Sequence, residues 1–200
     1  RGSQLLYKYN KETSFWGGNE FLYFDSKDIR SSTLNIANVE LGNELYNTYL
    51  YTNEERINLP YTLFPDVNGN FIVRTLNGGN SNTDADYSWV HFSLSCLENL
   101  ENKDIYISGN FNNWQLNDTN KLHFNTETGL YEATLLLKQG FYNYQYVTKT
   151  ENDIISNYDI DGSHYQTEND YTVLIYYKKF GSRYTQVIGV GFGNSEKINN

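Results

Sequence analysis

In the first half of this chain the apolar residues gather in short runs, at 4–9, 20–25, 35–42, 45–52, 61–64, 71–76 and 87–96. Polar breaks such as Gly42-Asn43 and Asn77-Gly-Gly-Asn-Ser-Asn-Thr83 divide them. Runs of this length, rich in Tyr, Phe, Val, Ile and Thr, predict strands, and their spacing predicts an antiparallel sandwich or meander. A second series follows at 104–109, 121–124, 130–137, 141–149, 153–156, 171–177 and 185–190. Its opening is the clearest element of the chain. Ile105 and Ile107 alternate with Tyr106 and Ser108, the two-residue period of a half-buried strand, and Gly109, Asn110, Asn112 and Asn113 then supply turn chemistry closed by Trp114. No amphipathic helix longer than two turns is expected.

Between the two series the chain becomes polar and charged, Glu98-Asn-Leu-Glu-Asn-Lys103, which places a domain boundary there. The expected architecture is all-β, two tandem antiparallel β-sandwiches over residues 4–97 and 103–191, followed by a polar tail at 192–200. Seven short strands within about ninety residues make the second sandwich immunoglobulin-like. Leu97 and Leu100 suggest some packing across the joint, although motion between domains is the default unless their interface is large and apolar. Two hundred residues, 38% of them hydrophobic, are enough to bury a core.

Charge narrows the partners. With 15 basic and 24 acidic residues the formal charge is -9, which repels a phosphate-rich partner, so no nucleic acid is expected. No run approaches the 18 or so apolar residues of a membrane span. The N-terminal Arg1-Gly-Ser3 reads as a cloning remnant, so the targeting segment of an exported precursor is not expected in this sequence. The single cysteine, Cys96, lies in the alternating run Trp89–Cys96, where a small buried thiol is the expected reading.

Catalytic and metal chemistry find little footing. His91, His123 and His164 are far apart and show no metal-ligand spacing. Asp66-Val-Asn-Gly-Asn70 and Asp159-Ile-Asp-Gly-Ser163 have their glycine at the fourth position rather than the sixth of a calcium loop, and Asn-Gly and Asp-Gly are tight-turn signals. No nucleophile elbow or phosphate-cradling loop is present, and no carboxylate pair stands out. No catalytic residue, metal or cofactor is therefore expected, and the protein reads as a non-enzyme. The candidate contact residues are Phe15 and Trp16, large rings beside Gly17-Gly18, and Lys178, Lys179, Arg183 and Tyr184, in the densest basic run of an acidic chain. Their alternatives are core packing for the first pair and a solvated hairpin tip for the basic run.

Two resemblances carry these readings further. Residues 104–177, through Asp104–Trp114, Gly129–Leu137 and Gly140–Val147, resemble the early-set immunoglobulin modules of the glycogen-binding type. That family's glucan grip uses a tryptophan at the turn, a lysine on the strand after the glycine and a second tryptophan downstream. Trp114 matches the first, Gln145 stands in the place of the lysine, and the region 149–160 offers Tyr158 but no tryptophan. Trp114, Gln145 and Tyr158 are thus the candidate glycan contacts of an alternative reading, an α-glucan-binding module; against it stands Trp114 as a plug for the end of the sandwich.

A longer resemblance runs through Glu12–Phe21, Tyr61–Phe71, Leu135–Tyr146 and Gln166–Gly191. Together these segments resemble the plug proteins of the Bacteroidetes type IX secretion system, in the same order and over nearly the whole chain. Members of that family carry an additional N-terminal β domain. The resemblance implies a periplasmic, non-catalytic accessory protein that binds an outer-membrane translocon protein and seals its periplasmic side. It fixes no interface residues.

Overall fold

The computed structural model describes residues 10, 11, 13–64, 66–76, 78–96, 100 and 102–195. Their strands are β1 (Leu22–Asp25), β2 (Ile36–Leu41), β3 (Tyr46–Leu50), β4 (Asn53–Glu54), β5 (Phe71–Val73), β6 (Tyr87–Ser95), β7 (Lys103–Ser108), β8 (His123–Asn125), β9 (Leu130–Lys138), β10 (Gly140–Thr150), β11 (Ile155–Ser156), β12 (Asp170–Tyr177) and β13 (Gln186–Asn194). Among the described residues helix is confined to one turn at Ser81–Asp84, capped by the Asn80 side chain, and a 3-10 turn at Asn110–Asn112. The predicted run 4–9 lies outside the described residues, and the run 61–64 forms a loop.

The protein is all-β, but its division differs from the expected one. Gly18–Gly162 forms one compact unit, and the other comprises the two ends, residues 1–17 and 163–200. The polar stretch near residue 100 joins strands of one sandwich, because the two halves of 18–162 share both sheets. β10 is the spine of the first sheet. Its first residues pair with β1 and β5 from the first half of the chain, and its later ones with β7 and β11. In the second sheet, ordered β2-β3-β6-β9-β8, β6 from the first half pairs antiparallel with β9 from the second, Trp89 opposite Leu136 and Phe92 opposite Ala133. The antiparallel expectation fails where β3 and β4 pair parallel to β6. A further difference concerns β12, expected in the second sandwich, which lies in the unit built from the two ends. Likewise the polar tail begins later than predicted, since β13 continues to Asn194.

The core lies between the two sheets. Phe24 is fully buried, stacked on Tyr142 at 5.1 Å and edge-on to Phe92 at 5.8 Å. Ile36, Leu50, Val90, Leu94, Ile105, Ile107 and Tyr146 complete the layer, with Leu100 among them. Each fully buried side chain of this size contributes on the order of 1.5–3 kcal/mol. Because the core uses tyrosine, it must satisfy hydroxyls. Tyr144 and Tyr146 both donate to Asn53 Oδ1 at 2.8 Å, and Tyr142 donates to the Lys138 carbonyl at 2.7 Å.

Among the described residues no helix is long and apolar enough to cross a membrane.

Candidate contact sites

Within 18–162 several buried charged groups are tied to one another. The Arg56 guanidinium donates through Nε to Asp161 Oδ1 at 2.9 Å and through Nη2 to the Glu20 carbonyl at 2.9 Å. Asp161 Oδ2 accepts the Tyr146 amide, and Glu20 Oε1 accepts the Tyr61 hydroxyl at 2.5 Å. Asn19 Nδ2 donates to the Asp161 carbonyl, so the node ties the start of the unit to its end. Asp159 accepts from Lys103 Nζ, Thr148 and Ser156. Burial pushes its carboxyl up, but these hydrogen bonds outweigh it and hold the group below the ordinary aspartate value, so it stays ionised at neutral pH. Burial raises the phenols of Tyr144 and Tyr146, the latter further through Tyr144, so both remain donors. Sequence reasoning missed this node; its members, 19, 20, 56, 61 and 161, are scattered through loops with no motif.

The Asx-rich turn behaves as its residues predict. Asn68 and Gly69 both have positive φ, 53° and 73°, the primed-turn geometry that Asn-Gly favours. The Asp66 carboxylate accepts the Phe21 and Asn68 amides. A side chain at Gly69 would collide with the rings of Trp114 and Phe21.

Trp114 therefore lies over this turn, 43% exposed, its ring centroid 5.9 Å from that of Phe21. Gln145 is half-buried on β10 opposite Ser108, and Tyr158 is half-buried beside Asp159. Among the described residues the ring packed beside Trp114 is that of Phe21. Trp114→Ala is expected to cost about 1–2 kcal/mol, read from the urea midpoint, and to leave retention on a glucan column unchanged. Loss of a glucan retention shown by the parent would restore the glycan reading.

His91 stacks on Tyr49 at 4.4 Å; its Nε2 lies 2.9 Å from Asn47 Oδ1 and its Nδ1 3.0 Å from Thr134 Oγ1. A neutral ring protonated on Nε2 satisfies both. Burial lowers its pKa, with Glu40 and Glu132 only partly opposing. His123 is exposed on β8, opposite Glu132. Cys96 is half-buried rather than buried, and donates to Glu55 Oε2 at 3.3 Å. Among the described residues no group of three His, Cys, Asp or Glu side chains is placed to hold a metal ion.

The unit built from the chain ends carries the other candidates. Phe15 and Trp16 are 73% and 67% exposed, so the core-packing alternative does not hold for them. With Gly17, Ser163, Tyr165, Thr167, Asn169, Tyr171 and Ser195 they line an open cleft of about 460 Å³. Asn169 fixes it: Nδ2 donates to the Gly17 carbonyl at 2.8 Å, while its backbone exchanges hydrogen bonds with Ser195. Phe15 packs on Tyr171 with centroids 5.9 Å apart. Tyr165 and Tyr171 were not singled out by sequence. Lys178, Lys179, Arg183 and Tyr184 occupy the exposed tip of the β12–β13 ribbon and are not among the residues that line the cleft. A turn with Gly181 at φ 80° closes that tip, as a hairpin requires.

The fold is similar to the 2.30 Å crystal structure of a hypothetical protein from Parabacteroides merdae ATCC 43184, with 34% sequence identity and a TM-score of 0.81. The similarity covers 88% of this chain and 45% of that one, so the chain spans about half the length of that protein. No family model and no curated protein matches the chain.

Proposed function

We propose that this chain is part of a non-catalytic, plug-like accessory protein that acts in the periplasm, binding an outer-membrane protein translocon and sealing its periplasmic side. The observation that carries the reading is the aromatic cleft around Phe15 and Trp16. Most of its lining falls in two segments of the plug-protein resemblance, 12–21 and 166–191, and it presents rings to solvent beside a backbone held by Asn169. Rigid aromatic side chains bury large area at small entropic cost, which suits a contact surface. Within 18–162, by contrast, the buried Arg56–Asp161 pair is engaged in holding the sandwich together.

The test is co-purification from native outer-membrane extract, with the natural polypeptide that carries this sequence as bait. Translocon recovery is expected, and a Phe15→Ser, Trp16→Ser variant is expected to recover at least about tenfold less, the loss of one or two interface anchors. Failure of the natural polypeptide to recover any translocon would reject the reading. Equal recovery by the variant would remove the cleft as its contact surface.

A further inference from the structure

The ribbon β12–β13 is apolar on both faces. Cross-strand register places Leu174 opposite Val190 and Thr172 opposite Phe192 on one face, and Tyr171, Val173 and Ile175 opposite Gly193, Gly191 and Gly189 on the other. Among the described residues of this unit Phe15 packs on Tyr171 at the ribbon's base, and beyond it both faces are exposed: Val173 is 60% exposed, Leu174 45% and Phe192 84%. On the second face Ile175 and Val173 lie beside Gly189 and Gly191, while a Cβ at Gly193 would meet nothing within 4 Å. A strand with solvent on one side alternates polar and apolar residues. The continuous run Val173-Leu-Ile-Tyr-Tyr177 is instead the pattern of a strand buried on both sides.

The ribbon's edges are open as well, because among the described residues β12 and β13 pair only with each other. An isolated two-stranded hairpin is marginal in water, and a long apolar edge invites another strand. The chemistry of the cover can also be read. Between Tyr171 and Ser195 there are three basic residues, Lys178, Lys179 and Arg183, and no acidic one, in a chain of formal charge -9. The length of the similar protein points to the source of the cover: more than half of the Parabacteroides protein lies beyond the part this chain matches.

We infer that the ribbon is a docking arm, held between the layers of a further β domain of the same polypeptide that pairs with its edges and presents acidic side chains to its tip. The inference does not depend on the translocon reading, and its test contains no membrane component.

Hydrogen–deuterium exchange is compared between these 200 residues and the natural polypeptide that carries them. Amides of 172–177 and 187–192 are expected to exchange at least about tenfold more slowly in the natural polypeptide. A Leu174→Asp, Val190→Asp variant is expected to lose that protection while unit 18–162 keeps its near-ultraviolet circular dichroism. Equal exchange in the two proteins overturns the inference. So does protection in the 200-residue chain that grows with its own concentration, which assigns the ribbon to a second copy. Protection of the natural polypeptide that appears only after outer-membrane extract is added also overturns it and assigns the ribbon to an external partner.

Discussion

Phe24→Ala is expected to lower the unfolding free energy by about 3–5 kcal/mol and to do so for both halves of residues 18–162 at once. Phe24 is fully buried, and its ring touches Phe92 on the opposite sheet and Tyr142 and Tyr144 on β10. Removing it leaves a cavity at the point where the two sheets and the two halves of the chain meet. β1 and β10 are hydrogen-bonded neighbours, so the packing cannot collapse without disturbing their register. The measurement is urea denaturation of single-tryptophan variants retaining Trp89 or Trp114, one reporter from each half. Both midpoints are expected to fall together. A Trp114 transition unchanged by the substitution would mean that residues 103–191 fold independently after all. By the same argument a fragment of 103–191 is expected to show no cooperative transition, because β10 loses β1 and β5 and β9 loses β6.

Arg56→Met is expected to cost about 3–5 kcal/mol, because it strands the buried Asp161 carboxylate without its cation. Asp161 is 2% exposed, so its carboxylate depends on the guanidinium rather than on bulk water for its charge. The same substitution also removes the donor to the Glu20 carbonyl. The control is Asp161→Asn in the Arg56→Met background. It removes the unpaired charge while an amide oxygen can still accept the Tyr146 N–H that Asp161 Oδ2 accepts now. The double variant is expected to recover a substantial part of the loss, read as a coupling free energy in a denaturation cycle. If the single and double variants are equally unstable, the node holds the fold through packing rather than charge. An Arg56→Met protein as stable as the parent would show that the ion pair contributes nothing.

The strands themselves were legible. The runs at 35–42, 87–96, 130–137 and 141–149 became β2, β6, β9 and β10 with ends shifted by a few residues, because alternation and β-branched or aromatic content are local properties. Asn68-Gly69 read as a turn for the same reason. The contact candidates were half legible. Phe15 and Trp16 stood out as large rings beside two glycines, but their neighbours Tyr165, Asn169 and Tyr171 reach the cleft from the far end of the chain. One available signal went unused, the loss of alternation along Val173–Tyr177, which marks strands meant to be covered on both faces.

The sequence by itself determined the all-β class, most strand positions, the turns that need positive φ and the absence of a basic footprint for nucleic acid. Each follows from a few adjacent residues or from composition. Only the tertiary structure decided which strands pair. A polar run such as 98–103 looks the same whether it links two domains or the two sheets of one sandwich, and nothing local in β6 specifies β9 as its partner. The same holds for Arg56 and Asp161, 105 residues apart. A charge in a loop becomes a buried ion pair only once the sheets close over it, since burial and partner choice belong to the packed core rather than to any segment.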